Sequence, residues 1–338
     1  MLIDAHRRPV KDLRISVTDR CNFRCTYCMP FEEYSAWIER QELLTYEEIT
    51  RVAAVFLRLG ADKIRLTGGE PLVRKGLEEL ISKLATLPGL RELCLTTNGA
   101  LLVEKAAALK AAGLKRLNVS LDSLDVERFK KLTQRGDLKR VLEGLEAARR
   151  AGFDRIKINA VIERGVNDDE ILPLVEFARA NHFAVRFIEY MDVGNSNDWT
   201  IERVVPKREI LERIAARYPL EKTGREEGSA PSVDYRFTDG AGDVGVIASV
   251  TEPFCGDCTR VRLTADGKLV TCLFSQQGHD LKSLIRGGAT DESLREWIQS
   301  IWQKRADRYS EERLEAMNSA EGYQARAHKK LEMIVLGG

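Results

Sequence analysis

TYEEITRVAAVFLRLGADKIRLTGG, residues 45–69, holds one complete structural unit of the chain. Thr45 can cap a helix, and Glu48 three positions on completes a capping box, in which each side chain reaches the other residue's backbone N–H. Val52, Val55, Phe56 and Leu59 recur at helical spacing and share one face. Gly60 is the stop, because glycine takes the left-handed turn after a helix at little cost. Residues 63–67, KIRLT, then alternate as a strand and run into the Gly68-Gly69 turn.

On either side of this unit the same alternation recurs, from residue 13 to about residue 191. Strands are expected at 13–17, 63–67, 92–97, 116–121, 155–162 and 184–191, with amphipathic stretches between them. Strand followed by helix, repeated, means parallel strands joined by right-handed crossovers. Six such units make an incomplete barrel or an open doubly wound sheet, and periodicity alone does not separate the two. After Met191 the pattern changes. Residues 192–200 are rich in Gly, Asn and Asp, and 224–232 form a second polar break. Shorter strands are expected at 234–237, 243–250, 261–263 and 268–273, the last two joined by the hairpin signal Ala265-Asp266-Gly267. A helical tail follows from about Leu281. The division expected is a first domain over residues 1–220 and a smaller α+β module over 221–338.

Composition narrows the function classes. The 338 residues carry 53 Lys and Arg against 52 Asp and Glu, a formal charge of +1, with 43% hydrophobic residues. This is a globular composition, and its balance argues against a nucleic-acid partner, which needs a broad basic surplus. The longest apolar stretch, residues 52–57, is far short of the roughly 20 needed to cross a bilayer, so no membrane partner is expected. Asp4, Arg7 and Arg8 stand where a secretory leader would be apolar, so a cytoplasmic location is expected.

Six of the seven cysteines fall into two groups. Cys21, Cys25 and Cys28 read C-x3-C-x2-C directly after the first strand. Three thiolates can hold three irons of a 4Fe-4S cube and leave the fourth open, whereas a closed structural zinc site wants four ligands, and only His6 lies nearby. Cys255, Cys258 and Cys272 read C-x2-C-x13-C, where spacing alone suits zinc and iron equally. If residues 259–263 are extended, Arg260 and Arg262 point to one face, as two guanidiniums that fit phosphate oxygens or as a solvated hairpin face.

Residues 14–30, RISVTDRCNFRCTYCMP, resemble the cluster loop of the radical S-adenosylmethionine (SAM) enzymes, and Gly68-Gly69-Glu70-Pro71 resembles that family's motif for the methionine amine. Together with residues 254–274, FCGDCTRVRLTADGKLVTCLF, and the closing Gly337-Gly338, the whole chain resembles the GTP 3′,8-cyclases of molybdenum cofactor biosynthesis. The resemblance implies an incomplete (βα)6 TIM-type barrel whose open side the C-terminal module closes. It implies two 4Fe-4S clusters, on Cys21, Cys25 and Cys28 and on Cys255, Cys258 and Cys272. SAM would be contacted by Tyr27, Gly69, Ser120 in LNVSLD and Met191 in RFIEYM. GTP would be held by Arg14, Arg65 in IRLTGG, Thr96 in LTTNG, Lys157 in RIKIN, Arg260 and Arg262. Lys63 and Arg186 are further phosphate candidates, or else a strand end and a surface ion pair.

In such enzymes a deoxyadenosyl radical removes the C3′ hydrogen of GTP, and the carbon radical attacks C8. The product is (8S)-3′,8-cyclo-7,8-dihydroguanosine 5′-triphosphate. The second cluster's open iron would hold the guanine, the Gly-Gly tail would enter the site, and no catalytic residue is assigned beyond the cluster ligands. The resemblance further implies an electron donor such as flavodoxin or ferredoxin and a downstream cyclic pyranopterin monophosphate synthase, and it is compatible with a homodimer. A peptide-modifying radical SAM enzyme with an auxiliary cluster is the enzymatic alternative, disfavoured because a peptide needs no such set as Arg14, Arg65, Lys157, Arg260 and Arg262. A non-catalytic zinc protein is the other. Cys94 reads as a small buried hydrophobe, Asp168, Asp169 and Glu170 as the acidic opening of a helix, and Trp199, Trp297 and Trp302 as packing residues. His6, His182, His279 and His328 form no metal pattern.

Overall fold

The computed structural model describes residues 2–29, 37–195, 197–319, 322–325 and 329–337. The unit at 45–69 forms as read. Thr45 accepts from the Glu48 N–H at 3.1 Å while Glu48 accepts from that of Thr45 at 2.7 Å, and Gly60 ends the helix Tyr46–Leu59 at φ 110°. Strands β1 (Asp12–Ser16), β2 (Lys63–Thr67), β3 (Glu92–Thr97), β4 (Arg116–Ser120), β5 (Ile156–Ile162) and β6 (Ala184–Glu189) occupy the six expected positions and pair in chain order, all parallel.

The rest of the chain builds onto both edges of this sheet. β7 (Leu220–Gly224), β8 (Val233–Phe237) and β9 (Asp243–Ile247) form an antiparallel meander whose last strand adds parallel to β6. β10 (Arg260–Leu263), β11 (Lys268–Val270) and β12 (His279–Asp280) form a second meander, and β10 adds parallel to β1. One twelve-stranded sheet results, in the order β12-β11-β10-β1-β2-β3-β4-β5-β6-β9-β8-β7. Its parallel run is β10, β1 to β6 and β9, eight strands where six were expected. Residues 248–259 link β9 on one edge to β10 on the other, so this link crosses the open side of the partial barrel. β7 and β12 were not anticipated: the first is largely exposed and the second has two residues, so neither carries a periodic apolar signal.

Alternation along the strands separates the two faces. Leu13, Ile15, Ile64, Leu66, Leu93, Leu95, Leu117, Val119, Ile158 and Phe187 join the helices in one hydrophobic core. Between them stand polar residues, of which Arg14, Arg65, Thr96, Asn118, Ser120, Asn159 and Arg186 line a cavity of about 330 Å³. Register places them side by side: Arg14 opposes Arg65 and Arg262, Thr96 opposes Asn118, and Asn159 opposes Arg186. A slip of one residue would turn all of them into the apolar core, so register here is strongly specified. Barrel interiors filled by Val, Ile and Leu are solid; this polar lining leaves a hollow one. Among the described residues no helix is long and apolar enough to cross a membrane.

Candidate functional site

The first cysteine loop is tied to the barrel at three points. Arg24 and Thr26 donate their backbone N–H groups to Thr133 and Leu132, at the end of the helix Val126–Thr133, at 2.9 and 3.0 Å. Phe23 meets Phe129 of that helix edge to face, 6.0 Å between centroids. Tyr27 donates its hydroxyl to Asp122 Oδ2 at 2.6 Å, and Asp122 Oδ1 accepts from the Val161 N–H at 2.8 Å. Asp122 lies two residues past Ser120 and was not singled out from the sequence. Burial pushes its carboxyl up to about 6.

The Gly68-Gly69 turn touches this loop backbone to backbone. Gly69 N–H donates to Thr18 O at 2.7 Å and Glu70 N–H to Arg20 O at 2.8 Å. A Cβ on Gly69 would stand 2.7 Å from the carbonyl oxygen of Asp19 and closer still to that of Arg20, so only glycine permits the approach. The Glu70 carboxylate, expected to face an ammonium, is largely taken up by the fold: Oε1 accepts from Leu72 N–H at 3.0 Å and the Thr97 hydroxyl at 2.7 Å, and Oε2 from Asn98 N–H at 2.7 Å.

Burial, only partly offset by these donors, pushes Glu70 up to about 7 from an ordinary value of 4.5. The folded state then binds this proton more tightly than the unfolded chain, so the stability it confers is complete below about 4.5 and lost as pH rises through about 7. Relative to a Glu70→Gln variant, the parent is expected to lose stability across that window, followed by denaturant unfolding from pH about 4.5 to about 8. A constant difference between the two would contradict it.

Both cysteine trios line the one cavity, and all six are free thiols. Burial pushes Cys21 up to about 11 and Cys28 and Cys272 up to about 12. Such thiols ionise only when a strong cationic centre takes the sulfur. Cys258 behaves oppositely: burial would raise it, but the guanidiniums of Arg260 and Arg305 outweigh burial and hold it down to about 6. Among the described residues no three His, Cys, Asp or Glu side chains converge to hold a single metal ion. Zinc needs that convergence, with each sulfur about 2.3 Å from one centre. Three half-buried cysteines without an imidazole, lining one cavity, fit a 4Fe-4S cube with one iron left open.

Between the trios lies a belt of cations. Burial, with Arg262, Arg260 and Arg65 nearby, pulls Arg14 down to about 9 against the pull of Asp12. Burial and then Arg260 pull Arg262 down to about 10. Arg14 Nε, Asn118 Oδ1 and Asn159 Oδ1 are buried without a hydrogen-bond partner. The cavity therefore suits a molecule with several negative charges that also offers hydroxyl or N–H donors. Asn118 and Asn159 were legible by strand period, two residues from Ser120 and Lys157, yet were missed.

The structure brings together on this cavity Tyr27, Gly69, Ser120 and Met191, and also Arg14, Arg65, Thr96, Arg260 and Arg262, with Lys63 and Arg186. Arg65 Nη1 donates to Thr96 Oγ1 at 3.3 Å. Arg260 directs Nε and Nη2 at Cys258 Sγ, at 3.3 and 3.1 Å, and Arg262 Nη1 donates to Gly337 O at 2.7 Å. Gly337, at φ 71°, thus docks on the cavity-lining Arg262 and stands where a Cβ would meet Thr67; Gly338 and His328 lie outside the described residues. Lys157 is the exception. Its Nζ sits 3.4 Å from Glu226 Oε2, which also faces Arg186 Nη2 at 3.7 Å, while Glu226 Oε1 is 3.1 Å from Arg116 Nη1. Lys157 and Arg116 overcome burial to hold Glu226 down to about 2. No local pattern in the sequence marked this carboxylate.

A sequence model described as Radical SAM superfamily matches residues 15–178, and one described as Molybdenum Cofactor Synthesis C matches residues 183–311. A solved structure of SuiB from Streptococcus suis, bound to S-adenosylmethionine, shares the fold with TM-score 0.60 at 17% identity, over 87% of this chain and 68% of that one. Fold and first cysteine loop together define a radical SAM protein. Curated relatives named GTP 3′,8-cyclase include one from Acidothermus cellulolyticus, 49% identical over 99% of this chain and 98% of that protein. Another, from Staphylococcus haemolyticus, is 43% identical over 98% and 97%. The chain belongs to the GTP 3′,8-cyclase family.

Proposed function

We propose that the protein cyclises GTP to (8S)-3′,8-cyclo-7,8-dihydroguanosine 5′-triphosphate, the first step of molybdenum cofactor biosynthesis, using S-adenosylmethionine and two 4Fe-4S clusters. One observation carries the reading: a single cavity is lined by both cysteine trios and, between them, by Arg14, Arg65, Arg260 and Arg262. A peptide substrate would leave that buried charge uncompensated.

Cys21, Cys25 and Cys28 would hold the first cluster, which when bound would supply the electron for cleavage of SAM, and Cys255, Cys258 and Cys272 would hold the second. The Gly69 backbone, Ser120 and Met191 position SAM beside Tyr27, whose ring Asp122 fixes through the hydroxyl. Arg14, Arg65 with Thr96, Arg262 and Lys157 bind the triphosphate, with Lys63 and Arg186 in reach, and Arg260 joins them when an anion draws it from Cys258. Asn118 and Asn159 accept from the hydroxyl and N–H groups of the nucleoside. Anchoring the substrate at both ends is what would present C3′ to the radical chemistry that bound SAM would supply. The link 248–259 crosses the open side and keeps bulk water from the cavity.

Anaerobic incubation of reduced protein with SAM and GTP deuterated at C3′ tests the function. Deuterium is expected in the released 5′-deoxyadenosine, and its absence would overturn the assignment. A triphosphate that reaches Lys157 also has to displace Glu226. Glu226→Gln is therefore expected to tighten GTP binding roughly fivefold, since partly exposed pairs are each worth under about 1 kcal/mol. Weaker binding by calorimetry would mean that Glu226 orders the cations instead.

A further inference from the structure

A buried charge cluster that none of the expected ligands includes joins the first residues of the chain to the second cysteine loop. Arg8 Nε donates to Asp4 Oδ2 at 2.6 Å, and Arg305 Nη1 donates to the same oxygen at 3.2 Å. Both guanidiniums continue onto the loop. Arg8 Nη1 donates to Cys255 O at 2.8 Å; Arg305 Nη1 donates to Cys258 O at 2.8 Å and Arg305 Nη2 to Cys258 Sγ at 3.1 Å. Arg305 Nε is held in turn by Asp307 Oδ2 at 3.2 Å, and the side chains of Arg305 and Asp4 are 1% and 0% exposed. Every nitrogen of the Arg305 guanidinium is therefore engaged, and the group cannot swing away from the sulfur.

The two guanidiniums on Cys258 differ in this respect. Arg260 stands on β10 among the cavity cations, where an anionic ligand can draw it off, and its Nε and Nη2 are committed to the sulfur alone. Arg305 is clamped from behind by two carboxylates and a carbonyl. Neither the Cys255 nor the Cys272 sulfur accepts from a guanidinium among the described residues. The second trio is thus built with one sulfur distinguished from the other two.

We infer that Arg305, fixed by Asp4, is a positioning residue for the second cluster, aiming Cys258 Sγ and donating a permanent charged N–H to it. This rests on the reading that the second trio holds a 4Fe-4S cluster. A charged donor on a ligating sulfur stabilises the more negative, reduced form of a cluster, so it raises the reduction potential. The N-terminal segment, remote in sequence from Cys258, then belongs to the surroundings that tune this cluster.

The test uses full-length protein reconstituted anaerobically, with iron counted and both clusters titrated potentiometrically while followed by electron paramagnetic resonance. Arg305→Lys keeps the charge but cannot donate to the Cys258 carbonyl, its sulfur and Asp4 together. At about eight irons per chain, the second cluster's midpoint is expected to move to a more negative potential, the first cluster's to stay, and the signal of the second to change. An unmoved midpoint at full iron content overturns the inference. If Arg305→Lys does not take up iron, Asp4→Asn, which leaves the guanidinium in place but loosens it, is expected to give a smaller shift of the same sign; no shift overturns the inference equally. Parent protein that takes up only about four irons per chain would instead refute the second cluster itself, a separate result.

Discussion

Gly69→Ala is expected to fold and to lose at least about a hundredfold in turnover, because misplacement of about 1 Å near reacting groups costs that much. The methyl group has no free volume to enter: it meets the carbonyls of Asp19 and Arg20, which are backbone and cannot rotate aside. Either the GGEP turn retreats, breaking the Gly69 N–H to Thr18 O and Glu70 N–H to Arg20 O bonds, or residues 18–20 move and carry Cys21 with them. Both displace the proposed SAM site relative to the first trio. Circular dichroism should match the parent, and iron uptake and SAM affinity should fall together. Normal turnover would show that the two backbones separate without consequence.

Asp192→Asn is expected to lower stability by about 3–5 kcal/mol, the usual result of removing one partner from a buried ion pair. Asp192, 1% exposed, accepts at Oδ2 from Lys330 Nζ at 2.6 Å and from the Tyr309 hydroxyl at 2.7 Å; Tyr323 donates to the same oxygen and Arg313 to Oδ1. Arg313 and Lys330 outweigh burial and hold the carboxyl down to about 2. An acid with a depressed value stabilises the fold above its ordinary 3.8 and loses that contribution as pH falls through about 2, so the deficit of the variant should be complete at neutral pH and fade in acid. Asparagine leaves two buried cations facing a neutral amide. Lys330 also precedes the segment that carries Gly337 to Arg262, so the variant should expose residues 329–337 to protease. A loss of under about 1 kcal/mol in denaturant unfolding would contradict the assigned role.

Much of the chemistry follows from short stretches of chain. The Thr45 and Glu48 box, the Gly60 stop and the period-two runs of β1 to β6 each depend on hydrogen bonds and side-chain directions set within a few residues. Arg14, Arg65, Thr96 and Ser120 came from the resemblance; strand period applied to these strands would have found Asn118 and Asn159 beside them. Lys157 marks the limit of that rule. It has the right strand, but its ammonium turns to Glu226, whose position depends on a meander folded against β6.

By itself, then, the sequence determined the alternating elements, a first sulfur trio fit for an iron cube and a second that suits zinc and iron equally, because these are properties of local geometry and donor chemistry. The tertiary structure alone decided that β9 joins β6 and β10 joins β1, that the link 248–259 brings the two trios into one cavity, and that Asp122, Glu226, Asp4 and Arg305 bear on it. Each of these is a pairing across tens to hundreds of residues. Its free energy depends on which edges and charges are left unpaired once the barrel has closed around them, and no local window of the chain contains that information.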